Sequence, residues 1–157
     1  MEKFLHKVKQ DHPGLRFNIG QSHCWSPERG QILYVKEDQS HSAESLLHEV
    51  GHARLGHEGY VSDLELLQKE VEAWQEAEGL AGLYGLTLDD DHIQDCLDTY
   101  RDWLHKRSTC PQCLSTGIQD NDKRYLCLNC GHAWSVSVSR FCRPYRRSKI
   151  TTAKSPR

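Results

Sequence analysis

The segment His48-Glu49-Val50-Gly51-His52 gathers three side chains able to do metal-assisted hydrolysis. On an α-helix, at about 100° per residue, two histidines four apart lie only ~40° apart, so both imidazoles can reach one ion. Glu49 projects beside them, where it can take a proton from a water molecule at the metal. Such an arrangement implies a zinc-dependent hydrolase, most often a peptidase. The same spacing also arises on ordinary solvated helices. Here Leu46, Leu47, Val50 and Leu55 supply an apolar side, which puts the motif on a packed element. Gly51 leaves room for another backbone to come close.

A catalytic zinc takes a third protein ligand and keeps its fourth position open. The candidates follow in the next helical stretch: Glu65, Glu70, Glu72, Glu76 and Glu78. On a helical wheel, Leu66, Leu67, Val71, Ala73, Trp74, Ala77 and Ala81 form a broad apolar side that includes Glu70. Glu65, Glu72 and Glu76 share the wet side with Gln68, Lys69 and Gln75. A carboxylate among alanines and a tryptophan requires a partner to offset its desolvation, and an ion would serve. Glu70 is the expected ligand and Glu72 the reserve. Ala73 and Ala77 are small enough to let the two helices pack closely. His57 is a weaker rival, five residues after His52 where the three-histidine pattern has six. On a continuing helix it would point ~180° away from His48, so a surface or substrate-side role is expected for it.

A second metal signal lies downstream. Cys110-Pro111-Gln112-Cys113 and Cys127-Leu128-Asn129-Cys130 are two C-x-x-C pairs separated by thirteen residues, with Gly131 after the second. Four thiolates at this spacing close a coordination shell, which implies a structural zinc in a zinc ribbon. So short a segment buries little core of its own. Metal binding, worth ~10–16 kcal/mol in comparable peptides, would supply its fold. Cys24, Cys96 and Cys142 are left over and read as ordinary buried or unpaired thiols.

These groups must be positioned by a plain set of elements. Residues 2–10 suit a short helix stopped by Asp11-His12-Pro13-Gly14. Leu15–Ile19 alternates weakly, and Gln31–Val35 is the better strand. Ser40 or Ser42 is placed to cap the motif helix, which should end near Gly56. A second helix runs from Ser62 or Asp63 to about Tyr84, and a third from Thr87 or Asp89 to about Lys106. Ile93, Leu97, Tyr100 and Leu104 make that third helix core and connector. Ala133–Val138 alternates like a strand leaving the second cysteine pair.

At 157 residues there is room for one domain and a small appendage. No apolar run approaches the ~20 residues of a membrane span, and Met1–Lys7 lacks the apolar core of a signal peptide. A cytoplasmic, reducing location is expected. The net charge of −2 hides an asymmetry: seven positive charges from Arg140 onward, with no acidic residue among them, leave residues 1–139 at −9. The basic tail, with Trp134, Phe141 and Tyr145 nearby, could track nucleic-acid phosphates or simply be solvated and disordered.

The run Leu46–His57 resembles the active-site helix of ImmA/IrrE-type zinc metallopeptidases. Glu70-Val71-Glu72-Ala73, followed by Ala77 and Leu80, is similar to that family's downstream E-x-x-A motif, whose glutamate is the third zinc ligand. The resemblance covers roughly residues 30–85 and implies Glu70 as ligand. It also implies, by analogy, a protein substrate such as a repressor. SprT-like peptidases acting on DNA-associated proteins are similar in architecture, joining H-E-x-x-H to a C-terminal ribbon. Their third ligand is a later histidine, for which His92 and His105 offer no good counterpart.

The expectation is therefore an α+β chain. Residues 1–107 form a small, mostly helical, zincin-like metallopeptidase core with a short β-sheet, 108–142 a zinc ribbon, and 143–157 a basic, disordered tail. His48, His52 and Glu70 hold a catalytic zinc, Glu49 is the base, and Cys110, Cys113, Cys127 and Cys130 hold a structural zinc. The strand at Ile32–Val35 would pair with an extended substrate, and Tyr34, His57 or Tyr60 would supply a transition-state donor. The competing reading is a non-catalytic zinc-ribbon regulator that binds nucleic acid or protein. No membrane partner is expected.

Overall fold

A computed structural model describes residues 2–36, 40–121, 123–137 and the backbone of 146–148. Among these the fold is α+β, with four α-helices and two small sheets. The chain divides into two units, Met1–Tyr60 with Glu65–Leu97, and Val61–Leu64 with Asp98–Arg157. None of the described helices is long and apolar enough to cross a membrane.

In the first unit, α1 (Glu2–Asp11) stops just short of Pro13, as expected. Strands β1 (Arg16–Ile19) and β3 (Gln31–Tyr34) pair in parallel, with Phe17 opposite Ile32. The intervening β2 (Cys24–Ser26) pairs antiparallel to β3, with Trp25 opposite Ile32, and the sheet order is β1-β3-β2. β3, expected to receive an extended substrate, is thus the central strand, with both its edges already filled. A 3-10 turn at Pro27–Arg29, closed by left-handed Gly30, returns the chain from β2 to β3.

Three longer helices follow: α2 (Ser42–Arg54), α3 (Asp63–Ala81) and α4 (Asp90–Ser108). His41, rather than either serine, sits at the α2 N-cap, in a left-handed conformation with no side-chain cap bond. The other end of α2 is a Schellman motif. Left-handed Gly56 donates its N–H to Ala53 O (3.3 Å), and His57 donates to His52 O (2.9 Å). Leu46, Leu47 and Val50 of α2 join Val8 and Ile32 as fully buried side chains, and Trp74, Ala77, Leu80, Ile93 and Leu97 complete the core. Full burial of such a side chain contributes about 1.5–3 kcal/mol. Helices α2 and α3 come close at Gly51, where an added Cβ would lie 2.5 Å from the Ala73 carbonyl oxygen.

The second unit holds an antiparallel sheet in the order β4-β5-β6-β7, comprising Ile118–Asn121, Arg124–Leu126, Ala133–Val136 and Arg146–Ser148. Tyr125 and Trp134 stack at 5.7 Å over Cys110, Cys127 and Val136. Beneath them is a buried ion pair: Arg107 Nε donates to Asp63 Oδ2 at 2.6 Å, and Tyr125 Oη donates to the same oxygen at 2.5 Å. The Trp134 indole donates to Arg107 O at 2.9 Å. Within the tail expected to lack structure, Arg146–Ser148 forms β7 by filling the edge that β6 would otherwise present. The remainder of 143–157, and Cys142, lie outside the described residues.

Candidate metal centres

The first centre is built by α2 and α3. Helical spacing puts His48 and His52 on one face of α2, and the bare backbone at Gly51 lets α3 approach until Glu70 faces them. His48 Nε2 lies 3.1 Å from His52 Nε2 and 3.2 Å from Glu70 Oε2, and His52 Nε2 lies 3.6 Å from the same oxygen. Ligand atoms held tetrahedrally at zinc bond lengths stand ~3.3 Å apart, so the three atoms fit around one ion. His48 and Glu70 are buried, and His48 rests on the Trp74 ring at a centroid distance of 4.3 Å. This group could hold a metal ion. Burial pushes the Glu70 carboxyl upward, but the neighbouring His48 and His52 more than reverse that and hold it at about 2.

Glu49 lies outside this ligand set. One oxygen of its carboxylate accepts the backbone N–H of Trp25 at 2.6 Å, and burial raises its pKa above the ordinary value against the pull of both histidines. The motif gave no hint of Trp25, because β2 is only three residues long and shows no usable alternation.

Neither rival ligand joins the group. Glu72 Oε2 is 3.2 Å from His57 Nε2, and His57 Nδ1 is 2.9 Å from His52 Nδ1, on the side of that ring remote from Glu70. His57 is buried, contrary to the surface role expected, because the Schellman turn brings the chain back across the last turn of α2. Burial pushes the His57 ring toward its neutral form, as does the nearby His52, while Glu72 pulls the other way. Of the three donor candidates, Tyr34 is buried with Lys9 Nζ 5.0 Å from its ring centroid, and both ring nitrogens of His57 are engaged. Tyr60 is the exposed one.

The second centre gathers Cys110, Cys113, Cys127 and Cys130, which could also hold a metal ion. The Sγ atoms of Cys110 and Cys130 are 3.7 Å apart, and those of Cys113 and Cys127 3.5 Å, close to the ~3.8 Å expected around a tetrahedral zinc. Two matching turns carry the pairs. Leu114 donates its N–H to Cys110 O at 3.0 Å and Gly131 to Cys127 O at 2.9 Å, both with left-handed backbone. Hydrogen bonds from Ser115, backbone first and then side chain, and from Asn129 hold the Cys113 thiol down at about 5, which favours the thiolate that binds metal.

A third group, His41, Glu44 and His92, also clusters. Its two imidazoles stack with centroids 4.0 Å apart and ring planes 11° apart, a poorer arrangement than the first centre for aiming both in-plane lone pairs at one ion. Among the described residues no disulfide forms, and Cys24 and Cys96 belong to neither metal group. Comparison with protein-family models, with curated proteins and with solved structures yields no match.

Proposed function

We propose that this chain is a zinc metallopeptidase of the ImmA/IrrE type that cuts a protein substrate, such as a repressor or another regulator. The observation carrying this reading is the convergence of His48 Nε2, His52 Nε2 and Glu70 Oε2 within 3.1–3.6 Å, with Glu49 next to them on the same helix. Two imidazoles and one carboxylate suit zinc and leave a coordination position for chemistry. Zinc bound there supplies a Lewis acid for the scissile carbonyl and lowers the pKa of water. Glu49 takes the proton of the attacking water and later passes it to the leaving amine. The Trp25 N–H fixes one oxygen of that carboxylate and so sets the direction from which it accepts a proton. An extended substrate segment is better matched to edge strand β2 than to the enclosed β3. Cys110, Cys113, Cys127 and Cys130 hold a second zinc that folds the ribbon.

The test compares the zinc-loaded chain with Glu49→Gln on a proteome-derived peptide library, reading new N-termini by mass spectrometry. The variant should retain two metals per chain by elemental analysis and lose activity by a factor of ~10² or more. Equal cleavage by both would remove Glu49 from the mechanism. The completeness of the four-cysteine group favours a second reading, a non-catalytic regulator that binds nucleic acid or protein through its ribbon. A single metal per chain, indifferent to substitution of His48 and His52, would decide for that reading. So would salt-sensitive DNA binding lost on removing residues 140–157, in a chain that cleaves nothing.

A further inference from the structure

The hydrogen bonds behind His52 have a fixed direction. The Glu72 carboxylate can only accept, so His57 Nε2, 3.2 Å away, must donate. A neutral His57 then has an unprotonated Nδ1, which must accept from His52 Nδ1 at 2.9 Å. His52 is left with its proton on Nδ1 and a bare lone pair on Nε2, the atom that faces His48 Nε2 and Glu70. Read from the carboxylate end, the chain of bonds selects the one neutral tautomer of His52 that can bind a metal. No ion has to be assumed to reach this result.

We infer that His57 and Glu72 are positioning residues that set the tautomer, orientation and basicity of His52 at the metal centre. The inference rests on the proposal that His48, His52 and Glu70 bind a metal, and it adds two residues that touch neither metal nor substrate. The turn that ends α2 is built for this. In a Schellman motif the residue after the left-handed glycine usually lays an apolar side chain against the last turn of the helix, near the residue five before it. Here those two residues are His57 and His52, and the contact is a hydrogen bond in place of an apolar one. A further bond, from the Trp25 indole N–H to His57 O at 2.8 Å, pins the His57 backbone. His48 has no such support: among the described residues its buried Nδ1 has no hydrogen-bond partner, and the ring lies against Trp74 in a tilted contact. The two histidines of the motif are therefore oriented by different means, and substitutions behind His52 should act on that ligand alone. Hydrogen bonds of this kind behind a ligand histidine typically change metal affinity by 10–100-fold.

The experiment uses the full chain loaded with zinc or cobalt. Zinc affinity at the histidine site is measured by competition with a chromophoric chelator, and thiolate-to-cobalt charge-transfer absorption reports the cysteine site separately. His57→Phe should weaken the histidine site by about 10–100-fold and leave the thiolate signal unchanged. Glu72→Gln, which keeps an acceptor oxygen, should restore most of the affinity lost in Glu72→Leu. Histidine-ring nitrogen correlation spectra of the zinc-loaded chain should show His57 protonated at Nε2 and bare at Nδ1. Should His57→Phe fail to fold, Glu72→Leu decides the matter, because the Glu72 side chain is 57 % exposed and packs little. Unchanged affinity in Glu72→Leu, or a His57 proton on Nδ1, would overturn the inference while leaving the metal site standing. A parent chain that binds metal only at its cysteines would overturn the metal reading and this inference together.

Discussion

Glu49, half-buried, and Glu70, buried, are carboxylates beside the same two histidines, and the fold treats them oppositely. Glu70 hydrogen-bonds His48 and lies 3.6 Å from His52 Nε2; these neighbours hold it at about 2, so it would meet an ion already charged. Glu49 takes only a backbone N–H, and burial dominates, raising it above the ordinary value of 4.5. A base whose pKa is raised keeps its proton to a higher pH. In the metal-free chain the Glu49 carboxyl should therefore take up its proton at a pH above 4.5, and carboxyl-carbon NMR against pH checks this. Titration at or below that value would mean that burial does not govern Glu49. The histidines, Glu49 and Glu70 were legible in the sequence because helical spacing fixes which side chains share a face. Trp25 and His57 were not. One acts through its backbone N–H and leaves no side-chain signature. The other is redirected by a turn that reverses the helical prediction for it.

At the scale of elements, the α2–α3 contact decides whether the ligands meet. A methyl group at position 51 would press on the Ala73 carbonyl oxygen at 2.5 Å, and backbone cannot swing aside as a side chain would. Gly51→Ala should cost about 1–3 kcal/mol in thermal or denaturant unfolding, despite alanine's better helix propensity. It should also weaken the first metal site, because α3 carries Glu70. A variant as stable as the parent would show that the helices separate freely. The helices themselves could be read from their apolar patterns to within a few residues, with Gly56 and Gly85 marking stops. Strands β1, β3 and β6 were legible too, from their alternation. β2 was not, because three residues are too few to show a period.

At the scale of the whole molecule, the chain assembles two units that keep different polar groups out of water. The second buries a complete ion pair, Asp63 and Arg107 each 2 % exposed, with Tyr125 as an added donor. Asp63, read from sequence as a helix cap, contributes its carboxylate to a guanidinium 44 residues away. A cap is a local pattern and was foreseeable, whereas the partner is set by tertiary packing. Removing one member leaves the other charged and unpaired in a low-dielectric site. Asp63→Ala should destabilise the chain by about 3–5 kcal/mol in denaturant melts with metal bound. A loss below ~1 kcal/mol would mean that water reaches Arg107 in the variant.

The grip on Glu49 comes from a main-chain amide, a group that nineteen of the twenty amino acids would supply equally well at position 25. Mutation can therefore rewrite the side chain there, even discarding the indole that reaches His57 O, without loosening the hold on the carboxylate. Proline alone lacks the proton. This hold is inherited through the path of the backbone, so it would persist in relatives that share no recognisable residue at that site.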